Sequence, residues 1–214
     1  MTKLLLVGAS GLAREVMSVV ALRHVGMTVN IVDDDSATWG TLHGLTPVLG
    51  RVDLAVDLDD HDVVVTIGRG DRRLQVVARL AAIGMDPARY GQLVHPRVLL
   101  PHGCSIGDGS IALDGVVLTA DVEVGRHVVL MPRVTLTHGC VVRDFATLCA
   151  GVSLGGDVEV GEAAYLGMNA SVREGVRIGA GATVGMGSVV LDDVPAGETW
   201  VGSPARPIRT GVLT

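Results

Sequence analysis

Written in sixes, residues 134–157 read VTLTHG CVVRDF ATLCAG VSLGGD. Each block opens on a small or branched side chain and carries an aliphatic one two places later. Outside this stretch the first row begins Val98, Cys104, Ser110, Val116 and continues every six residues to Ser188, while the second begins Leu100, Ile106, Ala112, Leu118 and ends at Val190. A simple strand alternates with period two; a sustained period of six means that a short strand meets a corner each time. Three blocks then close one triangular coil, and residues eighteen apart become vertical neighbours about 4.8 Å apart. Both rows are predicted to point inward. Glycine recurs after the second row, at Gly107, Gly125, Gly155, Gly161, Gly167, Gly179 and Gly185, where a corner needs positive φ or a missing Cβ. A parallel β-helix is therefore predicted over 98–194; a sandwich of short strands gives no reason for a fixed six-residue spacing.

The composition suits such a prism. Of 214 residues, 48% are hydrophobic and 2% aromatic, and 29 are glycine, so stacked Val, Leu, Ala and Cys must fill a narrow core. The net charge of −6 comes without a basic stripe or aromatic ladder, which argues against nucleic acid as a partner. Cys104 and Cys140 take inward positions and Cys149 follows a second-row residue, spacing that fits packing better than a disulfide or a metal site. The opening MTKLLLVGAS is too soon interrupted by glycine for a signal peptide, and no apolar run reaches membrane-spanning length. A cytoplasmic enzyme or binding protein is expected.

Ahead of the prism, residues 1–90 predict a Rossmann-like α/β domain. A strand from Lys3 to Val7 ends in the turn Gly8, Ala9, Ser10, Gly11; a helix runs from Leu12 to about Val25. Further strands are expected from Thr28 to Val32, ending at Asp33, Asp34 and Asp35, and from Val63 to Ile67, followed by Gly68 and a helix from about Asp71 to Ile83. GASG is shorter than a dinucleotide fingerprint, and the second domain offers no hydride-transfer chemistry, so NAD is disfavoured. The turn's amides suit a phosphate, and Asp33 or Asp34 suits a ribose or base; a tight turn beside a solvated acidic loop is the competing reading. Arg69, Arg72 and Arg73 fit phosphate contacts or, equally, an exposed helix face. Residues 91–97 read as a linker and 195–214 as a cap and tail over the open end of the prism.

Among seven histidines, His24, His43 and His61 read as solvated or locally bonded, His95 as a linker residue, and His102 and His127 as corner residues. His138 differs by position. It follows inward Leu136 by two residues, at an outward corner, with Ala120 one coil below and Gly156 one coil above. A filled prism has no internal pocket, so chemistry belongs in grooves between subunits. There an imidazole suits general-base duty and the Gly156 amide suits an oxyanion. The alternative makes His138 a corner residue bonded to backbone carbonyls.

The segments LLLVGASGLAREV (4–16), IVDDD (31–35), VVTIGRGDRR (64–73), LVHPRV (93–98), THGCVVRDFATLCAGVSLGGDVEVG (137–161), AYLGMNASV (164–172) and VGSPAR (201–206), in this order, resemble the sugar O- or N-acyltransferases that join a nucleotide-sugar-binding domain to a left-handed hexapeptide β-helix, a family including sialic acid O-acetyltransferases and UDP-amino-sugar N-acetyltransferases. The resemblance implies a homotrimer with sites between prisms, acetyl-CoA or another acyl-CoA as co-substrate, no metal, and direct transfer without a covalent enzyme intermediate. It assigns His138 the catalytic role, Cys149, Gly156, Met168, Gly185, Met186 and Gly187 to the coenzyme groove, which Gly167 is expected to adjoin, and Gly8, Ser10, Gly11, Asp33, Asp34 and Gly68 to the sugar-nucleotide site, which Arg69 is expected to join as a phosphate contact.

Three positions depart from the family pattern. Gly139 replaces the acidic residue that commonly follows the histidine, Leu12 replaces a histidine after GASG, and Arg69 replaces the smaller, polar residues common after the glycine of the third strand. The eighteen-residue ladder offers Asp121 and Asp157, one coil below and above position 139, as substitutes to orient the imidazole. The expected activity is acylation of an amino or hydroxyl group on a sugar or nucleotide sugar. The competing classes are a non-catalytic nucleotide-sugar scaffold, which Gly139 permits, and nucleotidyl transfer, which lacks a lysine-rich phosphate signature and a magnesium carboxylate pair.

Overall fold

A computed structural model describes residues 3–23 and 26–208. His24 and the last six residues of the predicted tail lie outside the described residues. The N-terminal domain contains β1 (Lys3–Val7), α1 (Gly11–Arg23), β2 (Thr28–Val32), a hairpin of β3 (Leu42–His43) and β4 (Thr46–Pro47), α2 (Leu54–Asp57), β5 (His61–Val65) and α3 (Gly70–Ala82). Its parallel sheet has the order β2-β1-β5. With β1 central, the GASG turn and the loop after β5 emerge side by side at the carboxyl ends of the strands, where α/β sheets bind ligands. β5 starts earlier than the apolar run predicts: His61 is its first residue and is buried, not solvated, with Nε2 3.0 Å from Asn30 Nδ2 and Nδ1 2.7 Å from Asp60 Oδ1.

Two-residue strands then stack into a left-handed parallel β-helix with three faces. One face, the charged face, carries the outward residues Ser105, Glu123, Val141, Glu159 and Arg177. A second, against which the N-terminal domain packs, carries Ile111, Val129, Thr147, Tyr165 and Thr183. The third carries Val117, Thr135, Ser153, Ser171 and Val189. Between Leu93 and Val190 every rung pairs residues eighteen apart, whereas the last, Thr183–Val184 with Thr199–Trp200, pairs residues sixteen apart. Both inward rows form the core, except that Leu100 is 53% exposed. The reason is pairing: beneath Val117–Leu118 no strand forms at Leu99 and Leu100, so nothing turns that side chain inward. The stack instead begins inside the predicted linker, where Leu93–Val94 pairs with Ile111–Ala112. At the other end Thr199–Gly202 pairs with Thr183–Val184 and folds back onto Ala205–Ile208.

The corners separate the two roles foreseen for glycine. Positive φ falls on every sixth residue from Gly103 to Gly187, a set that includes Asp121, His127, Phe145 and Asp157. The glycines after the second row lack positive φ but have no room for a Cβ: one on Gly167 would lie 2.6 Å from the Met186 amide nitrogen in the next coil. They permit close stacking.

Two contacts fix the domains together. Leu12, Ala13, Val16, Val19 and Val20 of α1 share a core with Ile111, Leu113 and Val129 of the docked face. At the next corner α3 approaches so closely that a Cβ on Gly70 would sit 2.0 Å from the Phe145 carbonyl oxygen. His127 fills this junction, parallel to Phe145 at 5.0 Å and edge-on to Tyr90 at 4.6 Å, and neither ring nitrogen has a hydrogen-bond partner. Burial, with Arg126 and Arg73 nearby, holds its pKa down to about 4. Between that value and the unfolded value of about 6.5, the unfolded chain takes up a proton that the folded chain refuses. Stability is thus full above about pH 6.5 and falls as pH drops toward 4, by about 3 kcal/mol from this group. Thermal unfolding followed from pH 7 to 4.5 should show a smaller loss in His127→Asn than in the wild type; equal losses would contradict the assignment.

Candidate active site

His138 projects from the corner between the third face and the charged face, with its side chain 68% exposed. Its ring lies over Gly156, where an added Cβ would stand 2.3 Å from Cε1 and 2.5 Å from Nε2. The bare glycine is the seat of the imidazole. No hydrogen bond from the Gly156 amide is present among the described residues, so that donor is available beside the ring. Asp157 Oδ2 lies 4.0 Å from His138 Nδ1. Its other oxygen would be 2.1 Å from a Cβ on Gly139, so the missing side chain at 139 is what lets this carboxylate lie there. Asp121 leans the same way and therefore away from the imidazole: its Oδ1 lies over Gly103, 2.4 Å from where a Cβ would be. Of the two candidate substitutes, only Asp157 reaches the histidine.

The remaining groove candidates occupy a different corner, between the docked face and the third face. Met168 and Met186 stand there one coil apart, exposed, with the Gly187 amide bonded to the Met168 carbonyl at 2.8 Å; Gly167 and Gly185 precede them. Cys149, expected in the coenzyme groove, lies at this corner one coil below Gly167. It is buried and lines a cavity of about 360 Å³ with Leu12, Ile67, Gly68, Arg69, Arg72, Met131, Thr147 and Tyr165, between the N-terminal domain and the prism. Burial pushes the Cys149 thiol up, and hydrogen bonding to that thiol, with burial second, pushes the Tyr165 phenol up to about 12. A thiol so placed stays protonated at neutral pH and is a poor nucleophile. Arg69 pairs with Asp71 and lies 5.6 Å from the Tyr165 ring centroid.

At the strand ends the acidic residues are already engaged. Asp33 accepts from the Ala9 amide at 2.6 Å and the Asp35 amide at 2.8 Å, one on each carboxylate oxygen, and so braces the glycine turn. Asp34 is held bidentately by Arg79 at 2.7 and 3.0 Å, which keeps its carboxyl below the usual range. Ser10 Oγ donates to the Thr66 carbonyl and accepts from the Ala13 amide, binding the turn to the start of α1. Gly8 has a φ of +110°, whereas Gly11 and Gly68 face open space. Arg73, read as a phosphate contact or an exposed helix residue, is neither: it is fully buried against the prism. Thr147 and Tyr165 were missed, although the eighteen-residue ladder places both on the docked face. The described residues bring together no group of three or more His, Cys, Asp or Glu suited to a metal ion, and no described helix is long and apolar enough to cross a membrane.

The chain passes from the docked face to the Met168 corner, along the third face to the His138 corner, then along the charged face back to the docked face. His138 therefore occupies the one corner that the docked face does not touch, and one chain does not join its imidazole to its own cavity.

A parallel α/β domain on a hexapeptide prism, with an exposed histidine at a corner, defines an acyltransferase of the hexapeptide-repeat class. Residues 3–80 match the PglD N-terminal domain family and residues 157–192 the bacterial transferase hexapeptide (six repeats) family. The acetyltransferase domain of PglB from Neisseria gonorrhoeae FA1090, solved with acetyl coenzyme A, is 30% identical over 96% of this chain and 98% of that one, with a TM-score of 0.85. A His-to-Asn variant of perosamine N-acetyltransferase from Caulobacter crescentus, in complex with CoA and GDP-perosamine, is 27% identical over 98% of this chain and 97% of that one, with a TM-score of 0.86. WeeI from Acinetobacter baumannii AYE is 28% identical over 97% of this chain and 100% of that one, with a TM-score of 0.80. No curated protein matches the sequence. The chain belongs to the sugar acetyltransferase family that joins a PglD-type N-terminal domain to a hexapeptide-repeat β-helix.

Proposed function

We propose that this enzyme transfers the acetyl group of acetyl-CoA to an amino group on a nucleotide-linked sugar, with His138 as general base. The carrying observation is the exposed imidazole seated on Gly156, beside a free amide and 4.0 Å from Asp157. The acetyl-CoA and GDP-perosamine complexes of the relatives support the two substrates. As the amine attacks the thioester carbonyl, His138 takes the proton that the nitrogen must lose. The Gly156 amide donates to the oxyanion as it forms. Collapse of that intermediate breaks the carbon–sulfur bond, and the imidazolium returns its proton to the CoA thiolate.

The acceptor would bind in the cavity lined by Gly68, Arg69 and Tyr165, and the coenzyme along the Met168 and Met186 corner. Since His138 lies on the far corner of its own prism, a neighbouring copy supplies the imidazole, as a homotrimer with sites between prisms provides. Incubation with acetyl-CoA and a pool of UDP-, GDP- and dTDP-linked amino sugars should release free CoA thiol and yield a nucleotide sugar heavier by one acetyl group. Nucleotide-sugar binding without thiol release would contradict the proposal and favour a scaffold; product bearing an ester would correct the acceptor group to hydroxyl.

Asp157 acts in this reading as a positioning residue that holds one orientation of the ring. The pair is exposed and at the limit of ion-pair distance, so the expected effect is modest: Asp157→Asn should lower kcat roughly 3- to 10-fold with little change in either KM. If Asp157→Asn matched the wild type, Asp157 would have no such role.

A further inference from the structure

Arg73 carries its charge into the junction between the domains with no carboxylate at ion-pair distance among the described residues. Its Nε donates to the His127 carbonyl at 2.7 Å, and its Nη2 to the carbonyls of Phe145 at 2.8 Å and Ala146 at 3.1 Å and to Thr147 Oγ1 at 3.1 Å. All of these belong to the prism. Nη1 turns the other way, to the carbonyls of Ile67 at 2.5 Å and Gly68 at 3.2 Å. The Thr147 hydroxyl donates to the same Gly68 carbonyl at 2.7 Å.

A cation buried without a counter-ion is costly, and an apolar residue would satisfy packing alone at less cost. Arg73 shares its helical stripe with Val76, Val77 and Leu80, which fill the adjoining core of the N-terminal domain. What the guanidinium adds is a planar fork that joins two backbones. One is the prism wall at 127 and 145–147; the other is the loop 67–69, which lines the cavity. In a trans peptide the carbonyl and the following amide point in opposite directions. Drawing the Ile67 and Gly68 carbonyls toward Arg73 and Thr147 therefore turns the Gly68 and Arg69 amides away from them, and neither amide has an acceptor among the described residues.

We propose that Arg73, with Thr147, is a positioning residue for acceptor binding: it locks the 67–69 loop to the prism so that its amides and Arg69 meet the diphosphate of a nucleotide sugar at a fixed place. This rests on the cavity being the acceptor site. Lysine retains charge but lacks the fork, so Arg73→Lys separates geometry from electrostatics; Thr147→Val removes only the hydroxyl and is the milder variant should Arg73→Lys fail to fold. Calorimetric titration with UDP, GDP, dTDP and CoA reads the effect. In a folded Arg73→Lys protein the Kd of the nucleoside diphosphate that the wild type binds should rise about tenfold, with a smaller rise in Thr147→Val, while the CoA Kd stays within about twofold. Amide hydrogen exchange at 67–71 in the ligand-free variants should quicken while the prism strands keep their protection. Unchanged nucleotide affinity in both folded variants, or equal weakening of nucleotide and CoA, would overturn the positioning role while leaving the acceptor site in place. If the wild type bound CoA but none of UDP, GDP and dTDP, the acceptor reading would fall and the positioning role with it.

Discussion

Replacing His138 with alanine is expected to lower kcat by about 10²- to 10⁴-fold, the range lost when a positioned general base is removed. The fold should be unaffected. The side chain is 68% exposed and lies outside the packed rows, so its removal opens no cavity. Binding of CoA and of the acceptor should change little, because the loss falls on proton removal as the amine attacks. Steady-state kinetics with circular dichroism on the same preparations tests this directly: an unfolded variant, or a folded one with kcat within a few-fold of wild type, would contradict the role given to the ring.

Gly156→Ala should have the second largest effect, and by a different route. An alanine Cβ would come within 2.3 Å of the His138 ring, and Gly156 has no positive φ that would make alanine itself strained. The clash is with an exposed side chain, so the imidazole swings into solvent and the coil stays intact. A displacement of about 1 Å in a reacting group can cost 10²-fold, so kcat should fall by about that factor with little change in melting temperature. A large loss of stability would mean that Gly156 serves coil stacking instead; wild-type kcat would mean that the ring does not need this seat.

The prism was legible because burial imposes the six-residue period directly on side-chain type. The same logic placed His138 and Gly156 one coil apart, and the structure puts the imidazole on that glycine. Leu100 failed because its place in the row does not record whether a strand lies there to pair with Val117–Leu118. Between Asp121 and Asp157 the ladder could not choose: it fixes height, whereas the lean of the side chain comes from the corner backbone, and both carboxylates lean toward the preceding coil. The acids after β2 kept their position but not their freedom, because Ala9 and Arg79 reach them only through tertiary packing. Arg72 and Arg73 look alike in the chain, yet one is exposed and the other buried. The signal was present in the i, i+3, i+4, i+7 stripe that Arg73 forms with Val76, Val77 and Leu80.

In the proposed assembly one chain supplies the imidazole and another the acceptor cavity. This division is tested most directly by mixing two variants, each defective in one part: His138→Ala, and Arg69→Glu to reverse the charge at the cavity. Co-expressed at equal levels in a cyclic assembly, they should restore activity at about one quarter of the sites, the product of two independent halves, although each variant alone is impaired. Activity no higher than the mean of the separate variants would place both parts of the site in a single chain and contradict the account.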